Sequence, residues 1–175
     1  MPTEPLAIYL NDHLAGSVGA LQLIDTLAEH AQGTPLETKL RALRGEIEED
    51  QGTLHQILAR IDSDEHRFKQ AAAWVSEKVS QARLTLASHA HPGLALVEGL
   101  EALGLGIQGK LGLWVVLADL APRDARISGF DYESLETRAA IQHAAVERER
   151  TQVARATFGT PAAAGTGAAQ GASGR

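Results

Sequence analysis

The stretch Leu27-Ala28-Glu29-His30-Ala31-Gln32-Gly33-Thr34-Pro35-Leu36-Glu37-Thr38-Lys39-Leu40 decides the fold. Apolar residues recur at helical spacing on both sides of it, and Gln32-Gly33-Thr34-Pro35 interrupts them with a stop signal followed at once by a restart: a glycine ending one helix, then threonine and proline opening the next. Upstream, Leu6, Leu10, Leu14, Ser17, Leu21, Ile24 and Ala28 predict a helix over about 5–30; downstream, Leu36, Leu40, Leu43, Ile47, Leu54, Leu58 and Ile61 predict one over about 35–61. A connection this short makes the two helices antiparallel neighbours.

The same period continues, with no convincing β alternation, so the fold is all-α. Asp62-Ser63-Asp64 is a further cap signal, and Phe68, Ala72, Val75, Val79 and Ala82 predict a narrower, more polar helix to about Ala87 that crosses over the bundle. His89-Ala90-His91-Pro92-Gly93 then breaks the chain before a long apolar helix with Leu94, Val97, Leu100, Ile107, Leu111, Trp114 and Ala118 expected inward, ending at Ala121-Pro122. Glycines at 99, 104, 106, 109 and 112 cost this helix roughly 1 kcal/mol each relative to alanine, and close helix packing is the expected reason. A last helix over about 131–156 has Leu135, Ala139, Val146 and Val153 inward. Residues 1–157 therefore form one helical bundle, and 158–175, almost entirely Gly, Ala, Ser and Thr, form a disordered tail. Two antiparallel pairs joined by a long crossover is the connectivity of ferritin-like bundles rather than of simple up-and-down ones.

Composition narrows the function. In 175 residues there are 16 basic and 22 acidic side chains, a net charge of -6 with no dense basic run, which argues against nucleic acid as a partner. Cysteine is absent, which removes disulfides, thiolate metal sites and a cysteine nucleophile, and suits a reducing compartment. The first residues lack a basic segment followed by an apolar one, and apolar runs such as LGLWVVLADLA (111–121) are broken short of membrane-spanning length. The expectation is a cytoplasmic protein without a membrane partner.

The functional signal is a polar residue near the middle of each of the four main stripes: His13, Asp50, Glu101 and Gln142. Polar groups placed where a helix faces its core call for a shared explanation at one depth of the bundle.

YLNDHLAGSVGALQL (9–23), EIEEDQGTL (46–54), AWVSEKVSQARL (73–84) and LVEGLEALGLGIQGKLGLW (96–114) resemble an uncharacterised bacterial group within the ferritin-like superfamily. More distantly, Val97-Glu98 with Glu101 is similar to a pattern of stress-associated ferritin-like proteins. The resemblance covers about 5–155 and implies a place for a di-iron site, with carboxylates from two helices and Glu-x-x-His pairs from the other two. The chain departs from that pattern: Leu43 and Glu46 stand where a Glu and His would fall, and Gln142 is neutral, with Ala145 three positions on.

Three readings follow. The first is a non-catalytic bundle, stress-related and self-associating through Ala- and Gly-rich outer faces, in which a buried polar network replaces a degenerate di-iron site and Lys78 and Lys110 neutralise the carboxylates; no cofactor is then needed. The second is an iron- or manganese-binding protein or oxidoreductase using His13, Glu46, Asp50, Glu98 and Glu101 as metal ligands. The third is a small-molecule binder with a cavity beside Ser17 and Gly104. No nucleophile and base pair is identifiable, and whether the chain is an enzyme stays open at this level. Glu48 and Glu49 read as a solvated face, Trp74 and Trp114 as core filling, and His30, His55, His66, His89, His91 and His143 as surface or loop residues. Gly104, Gly106 and Gly109 lack the preceding strand that a dinucleotide-binding loop needs.

Overall fold

Prolines and glycines set the helix boundaries in the computed structural model, which describes residues 5–61 and 91–159. Helix α1 runs Pro5–His30 and α2 Pro35–Ile61; α3 runs Pro92–Leu120 and α4 Tyr132–Phe158. No strand occurs among the described residues. The expected crossover helix over 62–87 lies outside them, as do Lys78, Trp74, His66 and His89, and the tail expected from 158 is described only at Phe158 and Gly159.

Gly33 ends α1 with φ +77°, a conformation that glycine reaches without strain. The next cap differs in detail from the sequence expectation. Thr34 turns its hydroxyl back to donate to the Ala31 carbonyl at 2.6 Å, and the Glu37 carboxylate accepts from the Gly33 N–H at 2.8 Å. Pro35 occupies the first turn of α2, where its missing N–H is no loss. At α4, Asp131 is the N-cap and accepts from the Ser134 hydroxyl at 2.7 Å and from the Ser134 N–H at 3.1 Å; the hydroxyl bond first, and then the N–H bond, hold the Asp131 carboxyl below its ordinary range.

The buried side chains form two apolar layers. One joins Leu10 and Leu14 of α1 to Leu54 and Ile57 of α2, Leu113 and Leu117 of α3, and Leu135 of α4. The other joins Ile24 and Leu27 to Leu40 and Leu43, Leu100 and Leu103, and Val146. Each layer combines opposite halves of α1 and α2, of α3 and α4, and of α1 and α3. Thus α1 and α4 run one way and α2 and α3 the other. The chain leaves α2 at one end of the bundle and begins α3 at the other, about 40 Å away at 1.5 Å per helical residue. Helix α1 packs on α2 and on α3, and α3 on α4; α2 and α4 touch more loosely, and the diagonal pairs α1–α4 and α2–α3 have no close backbone approach.

The inward face of α3 is shifted from the sequence expectation. Val97, Leu100, Ile107 and Trp114 are buried as expected, but Leu103, Leu113 and Leu117 are buried while Leu94, Leu111 and Ala118 are only half-buried. The cause is composition: α3 is apolar most of the way round, so its period alone does not select a face. Its outer side exposes Leu105 (70%), Val115 and Val116. Taken as a whole helix rather than as short runs, α3 is long and apolar enough to cross a membrane, and the same composition belongs to a core helix. The glycine expectation divides as well. A Cβ on Gly99 would lie 2.5 Å from Leu27 Cδ2, so α1 and α3 do approach closely there, and one on Gly104 would lie 3.1 Å from Glu147 Oε1. Gly106, Gly109 and Gly112 have nothing within 4 Å.

The α3–α4 connection is tied down by Ile127, fully buried, whose carbonyl accepts from the Tyr132 hydroxyl at 2.6 Å. Burial pushes the Tyr132 phenol up to about 12 from 10.0. The folded state therefore retains a proton that the unfolded chain loses, and stability present below pH 10 is lost as pH rises toward 12. Urea melts across this window should show wild type losing on the order of 1–3 kcal/mol more than Tyr132→Phe; parallel losses would contradict the buried phenol.

Candidate functional site

Between the two apolar layers lies a polar level, built mainly from three helices. Helix α2 supplies Glu46 and Asp50, one turn apart on one face; α4 supplies Arg138 and Gln142 at the same spacing; α3 supplies Lys110. Asp50 and Gln142 are each only 2% exposed. The Asp50 carboxylate accepts from Lys110 Nζ with one oxygen and from Arg138 Nη2 with the other. Lys110 also donates to Gln142 Oε1 at 2.5 Å, and Gln142 Nε2 donates to Glu46 Oε2 at 2.9 Å. Arg138 Nη1 reaches the exposed Glu49 at 3.0 Å. The result is a continuous chain of donors and acceptors, Glu46, Gln142, Lys110, Asp50, Arg138 and Glu49, across α2, α3 and α4. Helix α1 joins this depth through Ser17, whose hydroxyl accepts from Gln51 Nε2 at 2.8 Å and donates to the Leu14 carbonyl at 2.6 Å.

Burial lowers the Lys110 pKa from its ordinary value, while the Asp50 carboxylate beside it acts in the opposite direction and Arg138 adds to the lowering. A carboxylate and an amide carbonyl both accept from Nζ, which is the environment of an ammonium ion.

The sequence-predicted site residues do not converge. Asp50 and Glu46 belong to the polar level. His13 is half-buried, edge-on to Tyr9 with ring centroids 4.6 Å apart, and makes no hydrogen bond to the other described residues. Burial depresses its pKa, partly offset by Asp12. Glu98 and Glu101 lie on the solvent side of α3; Glu101, its side chain 59% exposed, meets Arg150 at 3.5 Å. The expectation that Glu101 interrupts the inner face of α3 is therefore corrected: the polar residue on that face is Lys110, on the stripe Leu103, Ile107, Lys110, Trp114, Leu117. Glu48 is exposed and paired with Arg44 at 2.5 Å, in keeping with a solvated face, and Trp114 is core filling at 1% exposure. Arg138 is not among the expected site residues; its signal in the sequence is its place one turn before Gln142.

The donors around Asp50 are already engaged within the protein. Both Asp50 oxygens are engaged by protein cations, Gln142 is neutral, and among the described residues no three His, Asp or Glu side chains are placed to share an ion.

Comparison with protein-family models, with curated proteins and with solved structures finds no match for this chain.

At the same depth a cavity of about 430 Å³ lies among α1, α2 and α3, with Ser17, Asp50 and Lys110 in its lining. Of the two residues expected beside a cavity, Ser17 lines it; Gly104 instead faces Val146 and Glu147 of α4.

Proposed function

We propose that the protein is a non-catalytic, ferritin-like helical bundle in which an ion-paired polar network stands where a di-iron site would be. The observation that carries this reading is the Asp50 carboxylate, buried between two apolar layers and bonded by Lys110 and Arg138 at once. Two fixed cations supply the charge compensation that a carboxylate cluster otherwise draws from metal. The parallel course of α2 and α3, with the chain leaving α2 at one end of the bundle and entering α3 at the other, supports the ferritin-like connectivity. The reading places the chain in the cytoplasm in a stress-related role, with α3 as a core helix.

Elemental analysis of protein purified from iron- and manganese-supplemented cells tests it. Metal content well below one ion per chain, unchanged in Glu101→Ala, is expected; a near-stoichiometric content that falls in Asp50→Ala overturns it in favour of iron or manganese binding. The same reading has copies associating through their outer faces. Light scattering is expected to give a particle larger than one chain, and a strict monomer at high concentration removes that part.

A further inference from the structure

The cavity among α1, α2 and α3 has the volume of a small-molecule site, about 430 Å³, and chemistry divided between an apolar wall and a charged floor. Ile47, Leu54, Leu113 and Trp114 form the wall. At the floor lie the Asp50 carboxylate and the Lys110 ammonium, and both Asp50 oxygens are occupied, one by Lys110 and the other by Arg138, which stands outside the lining. Glu46 is exposed and lines the grooves beside α4 rather than this cavity, so solvent weakens its action on Lys110, and Glu49 is exposed and paired with Arg138. Asp12, also in the lining, is exposed and screened in the same way. Lys110 carries three N–H donors and uses two of them, on Asp50 and Gln142; the third has no partner among the described residues. Access is through Gly16, Gly106 and Gly109, all exposed and with open space where a Cβ would sit.

We infer that this cavity binds a small amphipathic carboxylic acid, its carboxylate on Lys110 Nζ and its hydrocarbon body against Trp114, Leu113, Leu54 and Ile47. The carboxylate takes up the remaining ammonium donor, while the body replaces water on an apolar wall. A neutral molecule of the same shape gains only the second of these. A cationic one meets Lys110 at the floor. The inference stands apart from the metal question, because metal content and acid binding are measured separately on the same protein.

Titration calorimetry of the full chain with octanoate and with 1-octanol tests it. Octanoate is expected to bind saturably, about one per chain, and 1-octanol at least about tenfold more weakly, the ratio that ~1.4 kcal/mol of interaction gives. Lys110→Met should weaken octanoate by a similar factor. Gly109→Leu, placed where nothing stands within 4 Å, should keep the helical circular dichroism and abolish binding. Absence of saturable binding at millimolar octanoate overturns the inference, as does equal affinity for 1-octanol or binding retained in folded Gly109→Leu. Should Lys110→Met fail to fold, the comparison of octanoate with octanol on wild type decides the role of charge.

Discussion

Asp50→Ala is expected to lower stability by about 3–5 kcal/mol, the range for stranding one member of a buried ion pair. For a chain of this length that is a fall in Tm on the order of 10 °C. The effect comes mainly from Lys110. Its side chain is 14% exposed and is left with only the Gln142 carbonyl, whereas Arg138, 33% exposed, keeps Glu49. Glu101→Ala is the control. That carboxylate meets Arg150 at 3.5 Å on the solvent side of α3, and its removal should change stability by no more than about 0.5 kcal/mol. Thermal and urea melts of the two variants would show the contrast; equal losses would mean that the polar level does not bear on stability.

Trp114→Ala is the second large effect, expected at about 3–5 kcal/mol from lost burial and the void left behind. Trp114 is fully buried in the layer with Leu10, Leu14 and Leu117 and also walls the cavity, so truncation should enlarge that cavity. Trp114→Phe should cost much less. The indole Nε1 is buried and has no acceptor among the described residues, so the change removes an unsatisfied donor along with part of the ring volume. Denaturant melts of both variants measure the difference. A Phe variant as unstable as the Ala variant would show that the indole N–H has a partner that matters.

The legibility of this chain varied with how one-sided each helix is. Helices α1 and α2 could be bounded from Pro5, Gly33 and Pro35 because caps and breakers act locally, and their ends match the expected ones. Asp50 and Gln142 could be placed inside because each lies on an otherwise apolar stripe of a helix whose other faces are polar. In α3 that contrast is missing. Leu105, Val115 and Val116 are as apolar as Leu103 and Leu113 yet point outward, so which of Glu101 and Lys110 faced the core depended on packing against α1 and α4. Of the two lysines that could balance the carboxylates, Lys110 pairs with Asp50, and Lys78 lies outside the described residues. His13 shows the opposite case. It is only half-buried: the short residues Gly16, Gly106 and Gly109 leave a cavity at this depth, and the imidazole lines it instead of joining the network.

A double-mutant cycle on Asp50 and Lys110 tests most directly whether protein charges satisfy this level of the bundle. Wild type, Asp50→Leu, Lys110→Met and the double variant would be compared by urea denaturation. The structure predicts that each single change costs about 3 kcal/mol or more and that the double change costs less than the sum by about 2–3 kcal/mol, because the apolar pair leaves no stranded charge. Additive losses, with coupling below about 0.5 kcal/mol, would contradict it.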